Sequence, residues 1–325
     1  MIILDNLKVR NNKPSHRLSV ILGDYRHTLK LFLKNRLAFV GFFIVAFYFF
    51  IAILDTVYPS YLGVSSISSV TAFIHSTSLN AASVPTPPTF SHGWWYWLGT
   101  TEYGVPIFPA MLASLKVDIG VSLIIVLSAA AVGLLAGTFS GYFGKLVDEV
   151  IMRVTDVFFG IPTLVLAIAI IYVIGRGIVF LAIALILVRW PLFARLSRGQ
   201  TLSLREAKFM EAAKISGSTP SRDVFVHVIP NALSPIFVQI SLELGTVVLT
   251  FATLDFLGFA VAPPLLPELG SMIAGFGSSG ATDTYLAAGI WWPMVIPGLF
   301  LLLFTVAVNL MGDGLRDVLD PRVRR

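Results

Sequence analysis

The sequence predicts an all-α, polytopic membrane protein of six transmembrane helices. Three observations carry that expectation. Of 325 residues, 56% are hydrophobic and only 13% charged, whereas a soluble domain of this size carries about a quarter charged residues. The apolar residues gather into six runs, at 37–57, 113–139, 150–174, 178–196, 231–261 and 285–311, each of a length to cross a hydrocarbon core of about 30 Å. The basic residues avoid alternate connections. With the N-terminus inside, the inside segments are 1–36, 141–153, 189–228 and 312–325, and they hold all of the 23 Lys and Arg except Lys116 and Arg176. That is the partition the positive-inside rule requires, and it sets both termini in the cytoplasm of a cell-membrane protein.

Residues 1–36 are polar and basic, with Lys8, Arg10, Lys13, Arg17, Arg26, Lys30, Lys34 and Arg36. A signal peptide has a shorter basic region and a small-residue cleavage site after its apolar core. Residues 37–57 therefore read as a retained first span. The external segment 58–112 begins with a stretch free of Lys and Arg and includes the stiff Pro85-Thr86-Pro87-Pro88. Trp94, Trp95, Tyr96 and Trp97 follow. Their aromatic-belt composition suits a membrane interface; a surface for an external partner or a stacking platform for sugar is the alternative. In the second run, Gly133, Gly137 and Gly141 repeat every four residues, the spacing that lets helices approach closely in lipid.

Between the fourth and fifth runs lies a polar connection, 201–230. Its core has helix formers around Glu211, Ala212 and Ala213, then Gly217 where the chain can turn with φ > 0. Thr219 and Pro220 make an N-cap and first-turn pair for a second short helix. Pro230 is expected to break that helix before the next apolar run. The expected local structure is helix, turn, helix on the cytoplasmic side.

Chemistry is excluded more firmly than it is indicated. The chain has no Cys, hence no disulfide, thiolate metal site or thiol nucleophile, and its five His are scattered. A net charge of +5 reflects cytoplasmic connections rather than nucleic acid. A phosphate-cradling loop needs G-x-x-x-x-G-K-[ST]. Around Gly144-Lys145, Phe139 stands at the first glycine position and Leu146 at the hydroxyl position. Leu196-Ser197-Arg198-Gly199-Gln200 imitates a nucleotide-binding signature, but it follows an apolar run and Arg198 crowds it. Four carboxylates stand in or beside apolar runs, where a charge is costly. Asp118 and Asp156 are expected to face water or to pair with Lys116 or Arg153. Glu243 and Asp255, too far apart to share a proton, are candidates to line a wet translocation path, Glu243 with a structural role in the bundle as its alternative.

The polar connection also resembles a known family. Glu211-Ala212-Ala213, Gly217 and Pro230, with His227 and Ile229 ahead of Asn231, are similar to the cytoplasmic motif of binding-protein-dependent ABC importer permeases, and His227 to Asn231 to its dipeptide/oligopeptide branch. Gly141-Tyr142-Phe143-Gly144, Met152 to Asp156, Phe256-Leu257-Gly258, Gly270-Ser271-Met272, Trp291-Trp292 and Asn309 to Arg322 resemble the C-type subunit of that branch. The resemblance covers about residues 98–325. It departs at Thr101, Val105 and Pro106, where the branch has charges, and at Phe251, which occupies the branch's acidic position, so that Asp255 is not a carried-over site.

The resemblance implies a type I ABC importer permease fold with 201–230 as the coupling loop. It implies that Glu211, Ala212, Ala213, Gly217, His227, Ile229 and Pro230 meet the ATPase, Glu211 pairing there or capping its own turn. The implied partners are a homologous second permease chain, two ATP-binding subunits that carry ATP and Mg, and an extracellular substrate-binding protein; this chain would hold no cofactor and be no enzyme. Substrates in such systems are di- and oligopeptides, with oligosaccharides or nickel as alternatives. A self-contained proton-coupled transporter is the competing class, and would need internal inverted repeats. A membrane scaffold would leave 211–230 without a role.

Overall fold

A computed structural model describes residues 35–57, 85–90, 94–101, 105–260, 268–274 and 286–319. Among them there is no β-strand, only an isolated bridge between Thr100 and Pro106. In chain order the helices are α1 (Arg36–Val57), α2 (Ile107–Phe143), α3 (Lys145–Phe159), α4 (Thr163–Ile174), α5 (Ile178–Arg205), α6 (Lys208–Ile215), α7 (Pro220–Phe256), α8 (Leu269–Ile273) and α9 (Trp292–Leu319). The all-α, polytopic class is as expected. The expectations for residues 1–34, 58–84 and 320–325 lie outside the described residues.

Five helices, α1, α2, α5, α7 and α9, are long and apolar enough to cross a membrane. The third run is not one straight span. It divides into α3 and α4, bent by 96°. Gly160 caps α3 at its C-terminus, and Pro162 precedes α4. Proline disfavours the helical region for the residue before it, so Ile161 cannot continue α3. α3 is also too charged for a lipid-facing span: Lys145, Asp148, Glu149, Arg153 and Asp156 lie among Leu146, Val150 and Val157. Helix ends differ as well. α2 begins at Ile107 rather than 113, and α9 continues through the segment expected as a tail from 312.

The tightest pair is α2 with α5, followed by α1 with α9 and α7 with α9. The glycine stripe explains the first. A Cβ on Gly133 would lie 2.5 Å from Phe193 Cβ, one on Gly141 2.8 Å from Thr201 Cβ, and one on Gly137 would overlap the Ala194 carbonyl. On α1, Gly41 brings the chain against Ala307 of α9. Tyr48 stacks on Phe300, ring centroids 4.6 Å apart, and its hydroxyl donates to the Phe300 carbonyl at 2.9 Å, which satisfies a polar tip in apolar surroundings. The opposite side of α1, with Phe39, Phe43, Phe47 and Phe50, is exposed, as a lipid-facing surface should be.

Charged residues at the 141–205 end tie the helices together. Arg198 of α5 donates from Nε and Nη2 to the Asp148 carboxylate of α3, and Ser140 donates to the same carboxylate. Arg205 donates to the carbonyls of Gly141 and Tyr142 at 3.5 and 3.4 Å, closing the end of α2. Asp156 faces solvent, as expected, but pairs with Arg195 rather than Arg153, which meets Glu149 instead. A bent helix places Asp156 over α5, whereas Arg153 points outward at 77% exposure.

Asp118 corrects its expectation. It is buried, and its Oδ2 accepts from Leu269 N at 3.1 Å. Asp255 Oδ2 accepts from Ser271 N at 2.5 Å. Both carboxylates thus serve the unpaired first-turn N–H groups of α8, and a Cβ on Gly270 would meet Asp255. Glu268, fully buried, precedes α8 beside them. Burial, reinforced by the Asp255 and Asp118 charges, pushes the Glu268 carboxyl well above the usual carboxylate range.

Candidate functional site: the coupling segment and the polar face of α7

The segment 208–230 forms as its residues require. α6 buries Met210 and leaves Phe209, Glu211, Ala212 and Ile215 exposed. It ends in a Schellman turn: Ser218 N donates to the Ala213 carbonyl at 3.1 Å and Gly217 N to the Lys214 carbonyl at 3.0 Å. Gly217 has φ +79, where a Cβ is penalised. Thr219 then caps α7, its hydroxyl accepting from Arg222 N at 3.4 Å, with Pro220 in the first turn. Glu211 joins no ion pair among the described residues, and no local cap; its carboxylate is free for an external group.

Pro230 departs from expectation, because the helix does not break there. Residues Asp223–Val228 form a π turn, and Ile229 N donates to the Val224 carbonyl five residues back. This wide turn accommodates a proline, which lacks an N–H and would otherwise clash with the preceding turn. Asn231 Nδ2 donates to the His227 carbonyl at 2.6 Å across the same place. His227, Ile229, Pro230 and the fifth span are consequently one helix, Pro220–Phe256. Its start is fastened by Asp223, buried, which accepts from the Tyr142 hydroxyl of α2 at 2.8 Å.

Beyond the proline lies a feature with a different chemistry. Gln239, Glu243, Thr246, Thr250 and Thr253 follow one another at spacings of four and three along α7, which puts them on one face over about 21 Å. Thr246 is exposed, Gln239 and Thr253 half-buried. Glu243 and Thr250 are buried against Arg189 of α5: Nη1 donates to Glu243 Oε2 at 3.2 Å and Nη2 to Thr250 Oγ1 at 2.8 Å. Gln239 donates to Glu243 Oε1 at 3.4 Å. Arg189 Nε has no hydrogen-bond acceptor.

Arg189 was grouped by sequence with the cytoplasmic segment 189–228, and this is corrected. It stands eleven residues into α5, about 16 Å along the axis and half the thickness of a hydrocarbon core. Its signal was present as a lone Arg inside the run 178–196. An Arg at the centre of a spanning helix costs about 2.5–3.5 kcal/mol on insertion scales. Glu243 neutralises it, and separating the two would leave a lone charge inside the bundle. Asp255 lies apart from this group, at the α8 end of α7. The Leu196–Gln200 pentapeptide lies within α5, its N–H groups inside a helix rather than free at an N-terminus.

A bundle of spanning helices, one of which, α7, continues past its apolar run to an end that exposes Phe225 and Val226, defines a polytopic membrane component. Residues 133–325 match the family described as binding-protein-dependent transport system inner membrane component. The chain belongs to that family, and is a membrane component of ABC importers. It is 31% identical over 314 residues to the dipeptide transport system permease protein DppC of Alkalihalophilus pseudofirmus, covering 97% of this chain and 95% of the relative. It is 36% identical over 236 residues to the probable D,D-dipeptide transport system permease protein DdpC of Escherichia coli, 73% and 75% of the two chains. It is 28% identical over 304 residues to the oligopeptide transport system permease protein OppC of Bacillus subtilis, 94% and 92%.

Proposed function

We propose that this chain is the C-type permease subunit of an ATP-driven importer of di- and oligopeptides. Its partners in this reading are a homologous second permease chain, two ATP-binding subunits and an extracellular peptide-binding protein. ATP and Mg belong to the ATP-binding subunits, and this chain contributes no hydrolytic site. Both termini and the segment 208–230 face the cytoplasm, in line with the distribution of Lys and Arg.

The observation that carries the reading is the continuity of α7. Glu211, Ala212, Ala213 and Gly217 form the docking turn, and His227, Ile229 and Pro230 lie in the helix that leads from it to Glu243. Exposed Phe209, Ile215, Phe225 and Val226 supply apolar surface for a groove on the ATP-binding subunit, and Glu211 supplies charge. Glu243, on the polar face of α7, lines the path against the second permease chain. Asp255 stands at its outer end, where it holds α8.

The test is reconstitution of the four kinds of subunit in proteoliposomes. Uptake of a dipeptide should require both ATP and the external protein, and should persist when a proton ionophore collapses the pH gradient. Uptake abolished by the ionophore and indifferent to ATP would refute the reading in favour of proton coupling.

A further inference from the structure

We infer that the Arg189–Glu243 pair is a charge-selective binding point for the free ends of a peptide within the translocation path: the Arg189 guanidinium takes the α-carboxylate and the Glu243 carboxylate the α-ammonium of a zwitterionic ligand. The inference rests on the peptide-importer reading and adds the chemistry of the path to it.

The pair has the parts such a point needs. Both charges stand within the apolar lengths of facing spanning helices, 3.2 Å apart. They are not sealed into the core, since Arg189 keeps 13% and Glu243 11% of its side chain exposed. Arg189 uses one hydrogen on Nη1 for Glu243 and one on Nη2 for Thr250, while Nε has no acceptor. A guanidinium has five N–H donors in a planar fork that matches a carboxylate. Nε is buried, so the second hydrogens on Nη1 and Nη2 remain for a ligand.

The surroundings point the same way. Thr246, one turn from Glu243 and from Thr250, is exposed, and Gln239 and Thr253 continue the face in both directions. A pair serving only to fasten α5 to α7 would require no polar residues along the remaining length of the helix. Elsewhere α7 meets its neighbours through apolar and small residues, as at Val247, Val248, Phe251 and Gly245. Opposite charges at close range suit a ligand that carries both signs and is neutral overall. A bare cation taking Glu243 would leave Arg189 unmatched, and a neutral oligosaccharide would offer neither charge a counterion.

The decisive variant replaces both charges together. R189Q/E243Q keeps hydrogen-bonding side chains and leaves no lone buried charge, so a merely structural pair should be silent to it. The reconstituted complex is assayed for two quantities: ATP hydrolysis stimulated by the external protein, and uptake of dialanine against its C-terminal amide. The expected result is stimulated hydrolysis at half the parental rate or more, dialanine uptake lowered at least tenfold, and loss of the preference for the free acid. Parental uptake with parental preference would overturn the inference. T246K provides a second arm at an exposed position, with retained stimulated hydrolysis as the check that the complex has assembled. Its ammonium competes for Glu243, and uptake should again fall at least tenfold with hydrolysis retained; unchanged uptake counts against the inference. A parental complex that hydrolyses ATP in response to its external protein but never moves dialanine refutes instead the peptide reading on which the inference rests.

Discussion

Gly217 offers a prediction whose size follows from geometry alone. Its φ is +79, and an ideal Cβ there would have no heavy atom within 4 Å. Steric contact with the rest of the protein is thus removed from the problem, and only the intrinsic cost of the left-handed region remains. That cost is about 1–2 kcal/mol for an ordinary L-residue, and Asn tolerates the region. The Schellman turn between α6 and α7 is held by two backbone hydrogen bonds, so a penalty of this size displaces a large fraction of the segments from the docking geometry. With tenfold per 1.4 kcal/mol, G217A should weaken attachment of the ATP-binding subunits by about fivefold and G217V by tenfold or more. G217N should stay within about twofold of the parent. Co-purification of the ATP-binding subunits and ATP-driven uptake should fall in the order Gly, Asn, Ala, Val. Binding of ligand by the external protein is the unaffected control. G217V indistinguishable from the parent, or G217N as damaging as G217V, would refute the conformational argument.

Further outcomes follow from the same structure. A213W places an indole on the docking turn and should abolish uptake while leaving the thermal stability of the isolated permease within about 1 kcal/mol, as for other surface changes. G137L forces α2 from α5, where even a Cβ meets the Ala194 carbonyl, and should destabilise the detergent-solubilised protein by about 3 kcal/mol or more, beyond ordinary overpacking; G120A, with nothing within 4 Å, should be neutral or stabilise by about 0.5–1 kcal/mol. E268Q tests the buried carboxyl. Its raised folded-state value makes ionisation a cost to folding that is absent below about pH 4 and grows as pH rises above it, so E268Q should gain thermal stability over the parent with increasing pH and lose the advantage at pH 4. Cys introduced at Ser78 should react with an impermeant thiol reagent in intact cells, and Cys at Ser203 should not; the reverse would overturn the assigned topology.

Hydropathy was sufficient to locate α1, α2, α5, α7 and α9, because each carries an apolar run long enough to span, α7 despite its polar face. The glycine stripe of α2 was legible for a related reason: only glycine permits the approach that Gly137 makes to α5. The turn between α6 and α7 was legible because Gly217, Thr219 and Pro220 each have narrow backbone preferences. What sequence missed was local cooperation between neighbours and one long-range pair. The bend between α3 and α4 depends on Gly160 and Pro162 acting together in a run whose mean hydropathy still resembles a span. The π turn depends on a wider hydrogen-bond ring, which no residue type demands. Arg189 was misassigned because counting basic residues by segment treats a neutralised arginine like a solvated one; its partner is 54 residues away.

The unbroken run of α7 has a mechanical consequence. Phe225 at the docking end and Glu243 at mid-membrane are separated by eighteen residues, about 27 Å of a single rod. A tilt of about ten degrees imposed at the cytoplasmic end would carry the Glu243 level through about 5 Å over that length, comparable with the width of a peptide backbone. No linker intervenes to absorb the stroke. The only soft points are the π turn with Pro230 and the interior Pro235, where the ladder of hydrogen bonds is interrupted and a helix bends most easily. In the importer reading proposed above, the stiffness of those few residues sets how much of a displacement at the cytoplasmic end reaches Glu243.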